Sequence, residues 1–578
     1  MSHLLAMAVG PVQEFIAAAR RTRDLWFGSS LLSEIAKAAA KSVREQGGVL
    51  IFPHPDTDLT PGDDQVNVAN VILAELPTGE PRDVAAKAKQ AAQRRWLEFA
   101  GEAHREASGI IRQEIWDDQV EEVIEFYAAW VQRGGNYRED RQRVMRLLAG
   151  RKNLRDFEQA KGRAGVPKSS LDGQRESVFK DPAKEPWPER FRNRLRLREG
   201  EQLDVVGLVK RLAGGHQPYP SLDRVAADPW VRGNQGKSNF DHLKAACEKL
   251  PRDILQRLDK TAFPQFAEFP YEGTAIYRSR HSEWEEELEE HDRPKIKDIH
   301  DPLQRLPEPK PYLAVLVADG DRMGAALAAL ESTAAHREFS QALAGFANAA
   351  RTIVQEHYGV LVYAGGDDVL AFLPVDQCLR CARALHEDFR QRLANYGHPT
   401  LSVGLAIGHF LENLEDLLDY GRAAEKAAKN VAGKDALAVH LHKRSGAPIK
   451  MASRWDTKPD QRLTLYAELL QHEALPSKLP YDLKKLIDIY QAEGWQDIVR
   501  RQALQKDALR IIADKQPRAG RRYMAQVRGI VGELNTVADL RHFCDELLIA
   551  RQLADAFDQS RREPTELHRA AREREAVA

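Results

Sequence analysis

Cysteine is scarce in this sequence, with 4 among 578 residues. Cys247 and Cys544 stand alone, so the disulfide framework of a small secreted domain is excluded. Cys378 and Cys381 form a C-x-x-C, but no second Cys or His pair lies near them to complete a four-ligand zinc site. Leu379, Ala382, Leu385, Phe389 and Leu393 recur around them at helical spacing, which reads as small side chains on a helix face, with a redox or metal role as the alternative. Long apolar runs are missing too; none approaches the roughly 18 residues of a membrane span. An excess of one charge is also absent. Lys+Arg 85 against Asp+Glu 86 leaves a net charge of −1, so any nucleic-acid contact must come from local patches. Residues 1–10 lack a basic flank and run into Gln13 and Glu14, reading as a strand and not a signal peptide. A soluble, cytoplasmic chain with no membrane partner is expected.

The chain is long enough for several domains at roughly 150 residues each. Hydrophobic residues at 43% and charged residues at 30% are ordinary globular values, which decides against wholesale disorder. The most legible order begins near residue 306. An apolar run at 312–318 reads as a buried strand and 325–357 as a helix. Two apolar runs, 359–364 and 367–373, flank Gly365-Gly366 as a hairpin. A helix at 375–393, a strand at 401–408, a helix at 414–430 and a last strand at 436–441 complete a β-α-β-β-α-β order, the ferredoxin-like pattern with one strand appended. The N-terminus repeats it more loosely: a strand at 3–9, a helical segment at 12–45 interrupted near Gly28, strands at 48–53 and 66–76, and a helix at 83–105. The polar turn with Gly62, Asp63 and Asp64 reads as a solvated loop. The fold class is therefore α+β and multidomain: a first ferredoxin-like unit over 1–105, an irregular, mostly helical middle over 106–305, a second ferredoxin-like unit over 306–445, and a helical bundle over 446–578. Residues 114–149 read as strongly helical, 282–292 as an acidic solvated face, and the tail from Ser560 as frayed.

Chemistry concentrates at the ends of two strands. Asp319 and Asp321 follow the first strand of the second unit, and Asp367 and Asp368 sit at its hairpin. In a ferredoxin-like sheet these strands are neighbours, so the carboxylates converge. Clustered carboxylates repel unless a cation neutralises them, and Mg²⁺ takes one or two carboxylates together with phosphates and waters. Gly320, Gly324, Gly365 and Gly366 permit close backbone approach to a nucleotide. Lys429 and Lys434, where a helix meets the last strand, are available to triphosphate oxygens. The reaction class is metal-assisted nucleotidyl transfer, with a 3′-hydroxyl attacking an α-phosphate.

The GGDD at 365–368, with DGDRMG at 319–324 and AEKAAKNVAGK at 424–434, resembles the palm domain shared by GGDEF-type cyclases and CRISPR large subunits. GPVQEFIAAARRTRDLWFGSSLLSE at 10–34 resembles the first palm of the large subunit of type III-B (Cmr) CRISPR effectors, and EGEQLDVVGLVKR at 199–211 and PYPSLDRVAADPW at 218–230 resemble its middle domain. The resemblance covers about residues 3–445, and the helical C-terminus suits the family's last domain. It implies an antiviral complex whose large subunit polymerises ATP into cyclic oligoadenylates when target RNA binds. The two palms would hold two ATP molecules. Asp319, Asp367 and Asp368 would be catalytic and would bind two Mg²⁺ or Mn²⁺ ions. Gly320, Asp321, Gly365, Gly366, Lys429 and Lys434 would contact the nucleotide. The chain opens at the first palm, so the HD nuclease domain of many relatives is expected to be missing. The His291-Asp292 and His300-Asp301 pairs read as linker. The family's cysteine zinc motif is matched by Lys168-Ser169-Ser170-Leu171-Asp172-Gly173, so no structural zinc is expected. Two alternatives stay open: a stand-alone GGDEF-like cyclase using GTP, and a catalytically silent scaffold.

Two basic stretches are candidates for RNA or subunit contact. In FRNRLRLR, Arg192, Arg194, Arg196 and Arg198 would share one face at strand period. Arg133, Arg138, Arg141, Arg143, Arg146, Arg151, Lys152 and Arg155 form the other, with Tyr137 beside them; a solvated, salt-bridged face is the alternative for both. Implied partners are guide RNA, target RNA, the neighbouring guide-handle-binding subunit and small helical subunits.

Overall fold

In the computed structural model, the described residues are 1–62, 67–154, 162–188, 191, 195–197, 200–215, 218–252, 254–282, 284, 294–491 and 497–561. Asp63, Asp64, Arg155, Arg192, Arg194, Arg198, most of the acidic run at 282–292 with His291-Asp292, and the tail after 561 lie outside them.

Two sheets organise the chain. The first has the order β2-β3-β1-β4, all antiparallel, from β1 (His3–Gly10), β2 (Val49–Phe52), β3 (Val71–Leu76) and β4 (Glu125–Gln132). Alternation along β1 explains why its apolar run is continuous. Leu5, Met7 and Val9 join a core with the helices Thr22–Glu45 and Pro81–Ala107, while Leu4, Ala6 and Ala8 join another with the helix Tyr137–Asn153. β4 corrects the helical reading of 114–149, which resolves into a helix at Gln113–Val120, this strand, and the helix Tyr137–Asn153. Tyr127, Ala129 and Val131 alternate inward, and pairing with the exposed edge of β1 outweighs the local helical propensity. The first sheet thus runs past residue 105.

The segment 12–45 breaks at residues 18–21, not at Gly28. Gly28 lies inside the helix Thr22–Glu45, where an added Cβ would stand 2.9 Å from Lys210 Cε. Its small size admits a buried cation from the middle of the chain. Lys210 donates from Nζ to the carbonyls of Phe15 and Ala18 (2.9 Å for the latter), where the helix Gln13–Ala17 ends. Arg23 returns the favour, donating to the carbonyls of Lys210 and Arg211 (2.8 Å each) and Ala213 (3.0 Å) at the end of the helix Val205–Leu212. Each segment therefore caps the other's unsatisfied carbonyls. Arg211, 4% exposed, pairs with Asp24 (2.8 Å) and Glu201 (3.0 Å) and donates to the carbonyl of Leu195 (2.7 Å).

The second sheet has the order β10-β9-β8-β5-β7-β6, from β5 (Tyr312–Asp321), β6 (Val360–Gly365), β7 (Asp368–Pro374), β8 (Thr400–His409), β9 (Ala436–Leu441) and β10 (Ile449–Arg454). Its β6-β7-β5-β8 part is antiparallel, β9 joins β8 in parallel, and β10 closes antiparallel on β9. β10 lies in the region expected to be helical to the end, and carries the sheet beyond residue 445. Ala314, Leu316 and Ala318 face the helices Thr333–Glu356 and Cys378–Arg392; Leu313 and Val315 face the other way, with Leu417 and Leu418 of the helix Leu414–Lys429. The helical reading of 325–357 divides at residues 330–332 into Met323–Ala329 and Thr333–Glu356.

Among the described residues five α-helices follow β10, at Pro459–Gln471, Leu479–Tyr490, Asp497–Lys515, Met524–Gly532 and Val537–Ser560. Their core is continuous with the Ala314 face of the second sheet and contains Cys378, Cys381 and Cys544. Burial pushes the Cys378 thiol up to about 12, which suits packing and not thiolate chemistry. The 168–173 stretch is a tight turn: Lys168 bridges Glu176, Gly173 donates to the carbonyl of Ser169 (3.0 Å), and Ser170 Oγ donates to the carbonyl of Gln202 (3.0 Å).

The two sheets meet through side chains. Tyr137 Oη and His336 Nδ1 are 2.5 Å apart, Arg337 donates to the carbonyl of Leu50 (3.1 Å), and Arg141 donates to the carbonyl of Leu327. Tyr137 and Arg141 of the second basic stretch therefore serve this contact; Arg138, Arg143, Arg146 and Lys152 are exposed. Of the four arginines of the first basic stretch only Arg196 is described, and its φ of +46° is not that of the expected strand. Phe191 and Leu195 have helical backbone and are buried four residues apart, and Arg196 pairs with Glu272 (3.4 Å). His300 is hydrogen-bonded to His281 (2.7 Å).

Arg211→Ala strands Asp24 and Glu201 in the interior without their cation. The expected loss is about 3–5 kcal/mol of stability, read from the urea midpoint. Arg211→Lys, which offers a single ammonium, should recover only part of it.

Candidate metal and nucleotide site

At the end of the second sheet, β5 and the β6–β7 hairpin deliver three carboxylates to one place. Gly365 pairs with Asp368 across the hairpin, leaving Gly366 and Asp367 as its two central residues. Gly366 has φ +71°, and Asp367 is not among the positive-φ residues, the arrangement of a type II′ turn with glycine first. β5 and β7 pair through Ala318 and Val369, so Asp319 and Asp368 are carried to the same sheet edge. Ligand oxygens of Asp319, Asp367 and Asp368 lie within 4.8 Å of one another.

Gly320 makes the convergence possible. A Cβ there would stand 2.8 Å from both Cβ and Oδ2 of Asp367 and 2.7 Å from Met323 Cγ. Its missing side chain is filled by Asp367, not left open to a nucleotide. Gly365 is closed in the same way by the Tyr363 hydroxyl, whereas Gly366 borders open space. Of the four predicted glycines, Gly324 and Gly366 thus border open space, and of the two at the hairpin only Gly366 is free to face a ligand.

Asp321 is placed differently from its neighbours. It is fully buried, and its Oδ2 accepts from Thr400 Oγ1 (2.9 Å), Ser402 Oγ (2.8 Å) and the Asp435 amide (3.1 Å). It ties β5 to β8 and to the turn before β9, and it is not part of the three-carboxylate cluster.

The helix Leu414–Lys429 brings the cations. Gly404 of β8 lies directly beneath the Glu425 backbone, so the helix packs at contact distance from the sheet. Lys429 Nζ pairs with Asp319 and with Glu425 (3.4 Å). Glu425 is a functional candidate that sequence reasoning did not single out, although its i, i+4 spacing to Lys429 was a legible signal. Lys434 follows in the turn before β9, close enough for its charge to act on both Glu425 and Lys429.

The electrostatics are those of crowded acids. Asp368 reaches solvent on one side, yet its carboxyl is set among protein atoms. Desolvation, then the charges of Asp367 and Glu425, raise it to about 7. Burial raises Asp367 as well, and the buried Tyr363 hydroxyl is held protonated by burial and by the same two aspartates. A site that already draws an ammonium onto Asp319 and makes two further acids hard to ionise has the donor set for a hard divalent cation.

Comparison with known proteins gives a match on each sheet. The family model described as Cas10/Cmr2, second palm domain, matches residues 312–438, from the start of β5 to the middle of β9. That described as CRISPR-associated protein Cmr2, N-terminal, matches residues 4–101. The CRISPR system Cmr subunit Cmr2 of Pyrococcus furiosus is 25% identical over 559 residues, covering 78% of this chain. This chain spans 63% of that relative's length. A chain of Type III-B Cmr-beta solved by cryo-EM in the apo state superposes with a TM-score of 0.64 at 14% identity, covering 89% of this chain and 77% of its own. One solved bound to cognate target RNA gives 0.61 at 14% identity, covering 90% and 79%. Those likenesses show a shared fold. No described helix is long and apolar enough to cross a membrane. A match to the Cmr2 N-terminal model thus falls on the first sheet, and a match to the Cas10/Cmr2 second palm encloses the three carboxylates on the second.

Proposed function

We propose that this chain is the large subunit of an RNA-guided effector and that, when target RNA pairs with the guide, it converts ATP to cyclic oligoadenylate by attack of a 3′-hydroxyl on an α-phosphate. The observation that carries the reading is the convergence of Asp319, Asp367 and Asp368 within the span matched to the Cas10/Cmr2 second palm. These three residues would hold Mg²⁺ or Mn²⁺, which supplies charge stabilisation at the attacking and leaving oxygens when bound. The protein's own part is orientation. Gly366 leaves room over the hairpin for the ribose or phosphates. Lys434 offers an ammonium to the triphosphate, and Lys429, now paired with Asp319, would be available to phosphate were that carboxylate to hold a cation. Asp321, Gly320 and Gly365 act from behind by fixing the strand and hairpin. The match to a chain solved with cognate target RNA supports guide and target RNA as partners, beside the neighbouring guide-handle-binding subunit and small helical subunits. Exposed Arg138, Arg143, Arg146 and Lys152 on the helix Tyr137–Asn153 are the described cations offered to RNA phosphates.

Incubating the assembled complex with labelled ATP, divalent metal and complementary RNA should give oligoadenylate only when the RNA is present. Asp367→Ala combined with Asp368→Ala should cut the product by about a hundredfold or more; product at wild-type level from that variant would remove the site assignment. A second outcome concerns pH. Asp368 titrates near 7 in the free site, so below that value a cation must displace its proton. Mn²⁺ affinity, measured by calorimetry on the full chain, should weaken by up to about tenfold per pH unit as pH falls through 7, and should level off above it. Asp368→Asn should flatten that dependence.

A further inference from the structure

Beside the carboxylates the chain takes a turn that its residues disfavour. Gly433, Lys434 and Asp435 follow one another with φ of +85°, +58° and +52°, and only the first is glycine. Successive left-handed residues carrying side chains persist only where their surroundings hold them. Here the surroundings do so at three polar atoms of Asp435. Its amide donates to Asp321 Oδ2 (3.1 Å), its carbonyl accepts from the Trp455 amide (2.9 Å), and its Oδ1 accepts from His386 Nε2 (2.7 Å). His386 is buried and stacks on the Trp455 ring, with centroids 4.7 Å apart and planes 29° from parallel. The Arg383 guanidinium lies 4.3 Å from the centre of that ring and binds Asp460 of the helix Pro459–Gln471, Nε to Oδ2 3.0 Å. An unbroken series of contacts thus runs from the C-terminal helices through Arg383, Trp455 and His386 to Asp435, next to Lys434.

We propose that His386 is a positioning residue of the nucleotide site. By holding Asp435 it fixes the strained turn and aims Lys434 at the triphosphate, and through Trp455 and Arg383 it ties that aim to the C-terminal helices. The proposal rests on the reading of the site given under Proposed function.

The test is a double-mutant cycle in the assembled complex. His386→Phe keeps a ring against Trp455 and removes the donor to Asp435. KM for ATP should rise about tenfold, with kcat within about twofold and the melting temperature unchanged; His386→Gln, whose amide can donate to Asp435, should restore most of the loss. In a Lys434→Ala background, His386→Phe should add nothing. An unchanged KM in His386→Phe, or losses that simply add in the cycle, would overturn the proposal. If His386→Phe does not fold, Asp435→Asn, which keeps a weaker acceptor, should raise KM about threefold and be silent in the Lys434→Ala background; an unchanged KM there counts against the proposal equally. A wild-type complex that does not turn over ATP would tell against the proposed function, and the same cycle read in the Kd for ATP then decides the role of His386.

Discussion

The absence of a side chain at Gly320 is the constraint on which the site depends. Asp367 occupies the space a Cβ would take, which allows the hairpin tip to lie against the end of β5. The three carboxylates then share one sheet edge with oxygens within 4.8 Å. Their ionised forms are disfavoured there: burial raises both Asp367 and Asp368, and the charges of Asp367 and Glu425 raise Asp368 further. The crowding is tolerated because the strands beneath are buried on both faces, and because Lys429 already offsets the charge of Asp319. The energetic logic is that of a binding site: a local repulsion, held by packing, which a cation relieves.

A second set of interactions joins the middle of the chain to the first sheet. Lys210 and Arg23 cap each other's helix ends, and Arg211 binds two buried acids. Burial lowers the Lys210 ammonium to about 8, and its two carbonyl partners together with the charges of Asp204 and Asp24 offset the cost of a cation there. The strings at 10–34 and 199–211, which carried the clearest family resemblance, therefore meet each other in space. Their residue choices are accounted for by this junction and not by contact with the carboxylates.

Much of this was legible in the sequence for local reasons. The second sheet's strand order, the hairpin at Gly365-Gly366 and the acidic triad follow from apolar runs, a turn signal and acids at strand ends, each written within a few residues. β4 was missed because EFYAAWVQ lies between two helices and alternates only weakly; the open edge of β1 makes it a strand. β10 was missed because its sequence, IKMASR, is polar and only Met451 is deeply buried. Gly28 resembled a helix break, yet it is the gap through which Lys210 enters. Asp321 looked like a partner of Asp319, and the period of a strand alone would keep the two on one face, but β5 stays paired with β8 through Asp321, where Thr400, Ser402 and the Asp435 amide receive its carboxylate.

The sequence by itself determined which chemical groups exist and in what local setting: carboxylates after an apolar strand, a glycine-led turn, lysines at a helix end, and cysteines too few for a disulfide framework. Hydrogen-bond geometry and side-chain period act over two to four residues, so these features can be read without a fold. Which of those groups meet was decided only by the tertiary structure. Glu425 beside Asp368, His386 on Asp435, and Lys210 under Gly28 join residues from distant parts of the chain. Such pairings depend on how sheets and helices pack, and packing responds to shape complementarity summed over the whole core, which no short stretch of sequence contains.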